Sequence, residues 1–273
     1  MSSKWSAGVR YLFLMLCALA VLYPILFAFS NAFMTPEESQ AYPPAMFPSR
    51  LYLRNFADVL GLVPIGRFLL NSLVVSAVIM AGQLVTASLA AYAFAFVPFR
   101  GKNAVFFLFL STMMIPWEVT IIPNYLTVKS WGWMDSYAGL TIPFLASTFG
   151  IFLLRQFFLQ MPKELIEAAR MDGCGHLRVF AIIVLPLARP ALATLGVYVF
   201  LNAWNQYLWP LLITNTDTKR TVQIGISMLK WEEFISYGLL LAGVSLVLLP
   251  SLLLLALGLK QLVRGITAGA VKG

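Results

Sequence analysis

The sequence predicts an all-α membrane protein that crosses the bilayer six times. Of the 273 residues, 60% are hydrophobic and only 11% are charged, and the mean hydropathy is +0.83. The charged residues are also spaced so that six long stretches are almost free of them. A soluble protein of this size needs more polar surface to cover its core, so the chain is expected in a membrane.

The charge-poor stretches give the positions of the six spans. A helix needs about 20 mainly apolar residues to cross the hydrocarbon core, where it satisfies its own backbone hydrogen bonds. The third span reaches this length only by including Glu118. The predicted spans, in a single membrane domain covering 1–273, are about 11–33, 68–97, 103–125, 136–157, 187–214 and 234–260.

The distribution of Lys and Arg predicts the orientation. With both termini in the cytoplasm, the inner segments hold 12 basic and 3 acidic residues, and the outer segments hold 7 basic and 8 acidic residues. Cytoplasmic loops of membrane proteins are enriched in Lys and Arg, so this placement of the termini is favoured. The basic residues are scattered over membrane-flanking loops, so their expected counter-charge is membrane lipid and not nucleic acid.

The inner loop at about 161–186 contains a predicted short helix. Pro162 is expected at its first position, and Gly173 is expected to stop it. Helical spacing predicts one smooth, mostly apolar side formed by Leu165, Ala168, Ala169 and Asp172. Such a helix suits docking into a groove on another protein. The alternative is a helix on the membrane surface, a role that generally needs larger apolar and more basic side chains.

The fifth predicted span combines amides with aromatic rings. The residues concerned are Asn202, Trp204, Asn205, Gln206, Tyr207 and Trp209. Helical spacing predicts a shared face for Asn202, Asn205, Gln206 and Trp209. Amides in contact with lipid would be costly, so a cavity for a neutral polyhydroxylated solute is one interpretation. The other is that the amides join helices to one another. Both interpretations also apply to Asn71, Ser72 and Gln83.

Several classes of activity lack the residues that they require. The only Gly-Lys pair, Gly101-Lys102, has Phe96 where an ATP-binding loop needs its first glycine, and no Ser or Thr follows. No ionisable residue lies deep in a predicted span, which argues against an ion-coupled secondary transporter. An intramembrane enzyme would need a catalytic cluster. The single histidine, His176, is expected to make a surface contact and not to bind a metal.

The inner loop carries a resemblance to a known family. It contains Glu167-Ala168-Ala169, then Asp172-Gly173, then Ile183-Val184-Leu185-Pro186. This pattern resembles the EAA loop of the permease subunits of bacterial ABC importers. The stretch Trp204–Pro210 and the ending Gly265–Gly273 are similar to the carbohydrate-uptake branch. That branch includes the second permease of maltose-type and glycerol-3-phosphate-type importers.

The resemblance implies a type I ABC importer permease fold, with six transmembrane helices and a cytoplasmic coupling helix. It implies a bacterial inner-membrane complex with a second homologous permease, two ATPase subunits and an external solute-binding protein. This chain would bind no cofactor, because ATP and Mg²⁺ would be held by the ATPase subunits. The implied function is import of a carbohydrate, either an oligosaccharide or a related polyol. Import of glycerol-3-phosphate or a glycerophosphodiester is the alternative.

The resemblance also assigns individual roles. The residues implied in docking to an ATPase subunit are Glu167, Ala168, Ala169, Asp172, Gly173 and Pro186. Glu167 would pair with a basic group on that subunit, and the two alanines would allow close approach. Asp172 and Gly173 would shape the turn, and Pro186 would start the fifth span. The ending Gly265–Gly273 would reach toward the ATPase subunits. In the maltose-type importer the partner permease supplies the substrate site, so both placements of the solute contacts stay open.

Overall fold

The computed structural model describes residues 2–43, 45–230 and 236–268, and no β-strand occurs among them. A 3₁₀ turn at Ile142–Phe144 and a π-helix at Phe180–Val184 accompany the α-helices. In chain order the α-helices are α1 (Ser2–Ala32), α2 (Pro36–Ser39), α3 (Arg54–Leu62), α4 (Ile65–Phe96), α5 (Lys102–Thr112), α6 (Trp117–Ser130), α7 (Tyr137–Thr141), α8 (Thr148–Phe158), α9 (Lys163–Met171), α10 (His176–Val179), α11 (Leu185–Leu187), α12 (Arg189–Trp204), α13 (Leu208–Ile213), α14 (Val222–Leu229) and α15 (Tyr237–Ala268).

The chain divides into two compact units. The first comprises Met1–Gly66 and Ile224–Pro250, and the second comprises Arg67–Gln223 and Ser251–Gly273. Every residue predicted to dock an ATPase subunit or to line a solute path belongs to the second unit. The core of that unit lies between α4, α8, α12 and α13, where the buried side chains include Val75, Leu154, Phe158, Leu195 and Ile213.

In the first unit, Asn55 of α3 closes the end of α1. Its buried amide donates to the carbonyl oxygens of Ala32 at 3.0 Å and Met34 at 2.8 Å. Carbonyls in the last turn of a helix have no partner in a following turn, so the amide removes their desolvation cost. Gly238 of α15 lies against the same place, where a Cβ atom would be 2.9 Å from the Asn55 amide nitrogen.

Six membrane crossings are available among the described residues. Three single helices are long and apolar enough, namely Gly8–Ala32, Ile65–Phe96 and Tyr237–Ala256. Three bent pairs would each supply one more, namely Lys102–Thr112 with Trp117–Ser130, Tyr137–Phe144 with Thr148–Phe158, and His176–Leu187 with Arg189–Trp204. The number agrees with the predicted six spans. Residues 234–235 of the sixth predicted span lie outside the described residues.

The third predicted span, 103–125, is bent and not continuous. The α5 helix ends at Thr112, and α6 begins at Trp117 in a direction 94° away. Pro116 immediately precedes α6 and lacks a backbone N–H. A residue followed by proline is disfavoured in helical conformation, so Ile115 is a poor continuation of α5.

The fifth predicted span, 187–214, is also broken. The α12 helix ends at Trp204, and α13 starts only at Leu208. Pro210 cannot donate to the carbonyl of Gln206, and in a continuous helix its ring would clash with that carbonyl. The face predicted for Asn202, Asn205, Gln206 and Trp209 requires a continuous helix, so the break changes the directions of the side chains that follow it.

Polar side chains near the N-terminal end of α4 anchor a distant loop of the second unit. The Asn71 amide donates to the carbonyl oxygens of Thr218 at 3.0 Å and Arg220 at 2.8 Å. The Ser72 hydroxyl accepts from the backbone N–H of Val222 at 2.9 Å. For these two residues the structure favours the helix-joining interpretation.

Gly139 of α7 is expected to tolerate no side chain. A Cβ atom there would lie 2.2 Å from the backbone oxygen of Trp133 and 3.1 Å from side-chain carbons of Val128 and Ile213. Replacing Gly139 by Ala should lower the free energy of unfolding by about 1–3 kcal/mol, the cost of overpacking. Thermal unfolding of the purified protein in detergent measures this. The control is Gly66→Ala, because no atom lies within 4 Å of that added Cβ; equal melting temperatures for the two variants would contradict the prediction.

Candidate functional site

The helix of the inner loop ends in a Schellman turn. The α9 helix begins at Lys163, so Pro162 is its N-cap and not its first helical residue, one position from the prediction. At the other end, Gly173 has a φ of +79°. Its N–H donates to the Arg170 carbonyl at 3.0 Å, and the Cys174 N–H donates to the Ala169 carbonyl at 2.9 Å. Because a side chain strains this backbone conformation, glycine suits the position.

One side of α9 is exposed and the other is packed against the chain. Its exposed face consists of Leu165, Glu167, Ala168, Met171 and Asp172. The opposite side buries Ile166 and Ala169. Placing Ala169 on the outward face was wrong, because its side chain is buried, as is that of Ile166.

The exposed face is more apolar than expected from Leu165 and Ala168 alone. Met171 is 89% exposed, and Leu177 of α10 is 77% exposed nearby in sequence. Met171 was not among the predicted docking residues, although its spacing of three residues from Ala168 places both on the same side of a helix. Exposed apolar side chains next to charged Glu167 and Asp172 form a surface suited to a protein partner.

The structure also gives the positions of Pro186 and His176. Pro186 belongs to the three-residue helix α11, and α12 begins at Arg189 with Pro190 in its first turn. Pro186 therefore does not start the fifth span. His176 makes a specific contact, since its Nδ1 lies 3.2 Å from the Tyr92 hydroxyl. No cluster of potential metal ligands occurs among the described residues.

The two tryptophans of the predicted solute path are core residues. Trp209 is 2% exposed, and its indole N–H donates to the Gly139 carbonyl at 3.1 Å. Its ring packs edge-on against Trp117 and Phe144, with centroids 5.8 and 5.6 Å away. Trp204 is 1% exposed. The break after Trp204 removes Trp209 from the face predicted for it, so lining of a path by these two indoles was wrong.

The amides of the same stretch border open space. Asn202 and Asn205 are exposed, and each amide nitrogen donates to the carbonyl four residues earlier at 2.8 Å. The Asn205 side-chain oxygen accepts from the Gln223 amide nitrogen at 3.4 Å. A cavity of about 300 Å³ is lined by Leu201, Asn202, Asn205 and Gln206. Tyr207 is 40% exposed at the N-cap of α13.

A second cavity, of about 170 Å³, joins this stretch to α4 and the start of α8. Its polar lining comes from Gln83, Ser147, Tyr198, Asn202 and Gln206. No charged side chain lines it. Ser147 was not foreseen, because nothing in its local sequence marks it as a neighbour of the fifth span.

Gln206 is the most informative side chain of this cavity. Its amide oxygen is buried and has no hydrogen-bond partner among the residues that the structure describes. Leaving a buried acceptor unpaired costs about 1–3 kcal/mol. A hydroxyl group in the cavity would supply the missing donor. Gln83, in contrast, already donates to the Phe144 carbonyl at 2.8 Å, so it joins helices as well as lining the cavity.

Asp135, just before α7, accepts hydrogen bonds from the loop that follows α13. Burial raises the pKa of Asp135, but hydrogen bonds from the Thr216 hydroxyl and from the backbone N–H groups of Thr216 and Asn215 outweigh it, so the pKa is lowered. The carboxylate stays charged at neutral pH. It fixes the loop after α13 beside the start of α7.

The chain is similar to a known protein family and to several permeases. Residues 83–265 match the family described as binding-protein-dependent transport system inner membrane component. The chain resembles sn-glycerol-3-phosphate transport system permease proteins UgpE of several bacteria. It is 34% identical to that of Brucella melitensis biotype 1 over 94% of this chain and 95% of the relative, and 37% identical to that of Pectobacterium atrosepticum over 91% of each. For that of Yersinia pestis bv. Antiqua the identity is 36% over 94% of each.

A solved structure has the same fold. It is a chain of a bacterial ABC transporter involved in the import of the acidic polysaccharide alginate, with a TM-score of 0.84 and 22% identity. The match covers 95% of this chain and 97% of that chain. The predicted type I ABC permease fold is thereby confirmed. The molecule is a membrane permease and not the ATP-hydrolysing subunit, and such permeases work with a partner permease, an ATPase and a binding protein. The chain thus belongs to the binding-protein-dependent transport system inner membrane components, as a permease subunit of an ABC importer.

Proposed function

We propose that this permease imports sn-glycerol-3-phosphate or a closely related glycerol phosphate ester. The observation that carries the proposal is the identity of 34–37%, over more than nine-tenths of the chain, to permeases named for that solute. A carbohydrate or polyol is the second candidate. It is favoured by the cavity beside Gln206, whose lining offers amides, hydroxyls and rings but no cation.

The two candidates share one chemical feature, a chain of hydroxyl groups. The unpaired Gln206 oxygen and the Asn202 side-chain oxygen are acceptors for such hydroxyls, whereas the Asn205 oxygen already accepts from the Gln223 amide nitrogen. A phosphate group binds best to Arg or Lys, so its partners belong to the second permease or the binding protein. The amide stretch then contacts the glycerol part of the solute.

We infer that the exposed face of α9 docks on an ATPase subunit. Support comes from its exposed Leu165, Ala168 and Met171 beside Glu167, on a helix held rigidly at its C-terminal end by Gly173. The complete importer would contain a second homologous permease, two ATPase subunits and an external solute-binding protein in a bacterial inner membrane. ATP and Mg²⁺ would be bound by the ATPase subunits, and none by this chain. Both termini would face the cytoplasm, as the Lys and Arg distribution predicts.

Uptake by the reconstituted importer tests the proposed solute. Vesicles containing both permeases and the ATPase, supplied with binding protein and ATP, should accumulate radiolabelled sn-glycerol-3-phosphate. A neutral oligosaccharide or glycerol should compete weakly. Accumulation of the oligosaccharide with no effect of glycerol-3-phosphate would establish the second candidate. Accumulation by this chain alone, driven by an ion gradient, would overturn both.

Replacing Gln206 by Leu separates solute binding from helix joining. The change removes an acceptor that has no partner among the described residues, so the free energy of unfolding should stay the same or rise. Half-saturation of uptake should require about tenfold more solute, the effect of one lost hydrogen bond. Uptake kinetics and thermal unfolding are both measured. Gln156→Leu serves as the control, because Gln156 is exposed on α8 and lines neither cavity. Lower stability with unchanged uptake would support helix joining instead.

A further inference from the structure

Three cationic side chains from three different helices meet at the inner end of α4. They are Lys102 of α5, Arg155 of α8 and Arg170 of α9. The last carbonyls of a helix lack partners in a following turn and carry partial negative charge. Cations are therefore stabilised at this end, and each one ties α4 to another helix.

Two of the three cations hold the helix end to neighbouring spans. The Lys102 ammonium donates to the carbonyl oxygens of Ala95 at 3.0 Å and Val97 at 3.2 Å. The Arg155 Nε donates to the Phe94 carbonyl at 3.3 Å. Because hydrogen bonds from charged donors are stronger than neutral ones, α5 and α8 are expected to move together with this end of α4.

The third cation connects the same end to α9. The Arg170 guanidinium contacts the Phe96 carbonyl at 3.5 Å and the His176 Nδ1 at 3.3 Å. His176 in turn contacts the hydroxyl of Tyr92, which lies on α4 one turn before Phe96. Arg170 thus meets α4 directly and through His176.

Packing between α9 and this helix end leaves an open space. A cavity of about 210 Å³ lies between them, lined by Ala95 and Phe96 on one side and by Ile166, Glu167 and Arg170 on the other. Apolar packing, the usual means of making two helices move as one unit, is incomplete here. The polar contacts of Arg170 cross this region.

We propose that Arg170 is the positioning residue that passes movement of α9 to the inner end of α4. The proposal rests on the docking of α9 to an ATPase subunit. Arg170 lies next to Ile166 on the side of α9 away from Leu165 and Ala168, so it contacts α4 while the exposed face is free for the partner. An ATPase-driven shift of α9 reaches the second span through this contact.

The test uses the complete importer in vesicles and measures the solute transported per ATP hydrolysed. Arg170→Gln should leave the amount of copurified ATPase unchanged and lower this ratio about tenfold, as expected for one charge-assisted hydrogen bond. Arg170→Lys keeps a cation at the helix end and should restore most of the ratio. Arg100→Gln is the matched control, because it removes one exposed positive charge from the neighbouring inner loop.

Three results would overturn the proposal. The first is a wild-type ratio in Arg170→Gln, and the second is an equal decrease in Arg100→Gln, which would indicate a general effect of charge. The third is loss of copurified ATPase in both Arg170 variants, which would place Arg170 in the docking surface itself. Failure of the docking proposal has a different signature, since the wild-type chain would then not copurify an ATPase subunit.

Discussion

Replacing Glu167 by Lys is expected to nearly abolish ATP-driven uptake while the permease still folds and inserts. Glu167 is exposed on α9, at the edge of the cavity between α9 and α4, so the change buries no new charge. At the proposed interface it would place a positive charge opposite a basic group of the ATPase subunit. Truncating one partner of a buried charge pair costs about 2–5 kcal/mol, which corresponds to a loss of at least about 30-fold in binding.

The decisive measurements are copurification of the ATPase subunit and the initial rate of uptake in vesicles. Glu37→Lys is the control, because it reverses an exposed acidic side chain of α2, outside the loop that contains α9. Its uptake should stay close to that of the wild type. If both variants behave like the wild type, α9 does not dock through Glu167.

Replacing Trp209 by Ala is expected to cause the largest loss of stability. The indole ring is buried against Trp117 and Phe144, and its N–H is the donor for the Gly139 carbonyl. Truncation of a buried aromatic residue costs about 3–5 kcal/mol, and the orphaned carbonyl adds to this. Unfolding of the purified permease in detergent, followed by near-ultraviolet circular dichroism, reports the change.

The comparison variant is Trp131→Ala, since Trp131 is 56% exposed. Its unfolding midpoint should shift much less than that of Trp209→Ala. A role of Trp209 in lining the solute path predicts the opposite pattern, with unchanged stability and impaired uptake. The two interpretations of this tryptophan are therefore separated by one pair of measurements.

The sequence was informative wherever a property depends on composition or on local backbone geometry. Six charge-poor stretches predicted six crossings, because the hydrocarbon thickness fixes the length of apolar chain that is needed. Gly173 was predicted at the end of the inner helix, and its φ of +79° explains why glycine suits that place. Such features depend on a few consecutive residues and on the surrounding solvent.

Predictions of which side chains share a surface were less successful. Asn202, Asn205, Gln206 and Trp209 form one face only if the helix is continuous, and the chain is broken after Trp204. Ala169 faces inward with Ile166, because the direction in which α9 packs is set by its neighbours and not by its own sequence.

The sequence by itself determined that the chain is a membrane protein with up to six crossings and a short helix between two of them, because bilayer thickness and turn chemistry act on local stretches. Only the tertiary structure decided that Trp209 is a core residue, that Gln206 leaves an unpaired oxygen beside a cavity, and that three cations meet at the end of α4. Several of these contacts join residues more than 50 positions apart, such as Trp209 with Gly139 and Arg155 with Phe94. Their physical basis is the pairing of buried polar groups, which depends on where the folded chain brings each donor and acceptor.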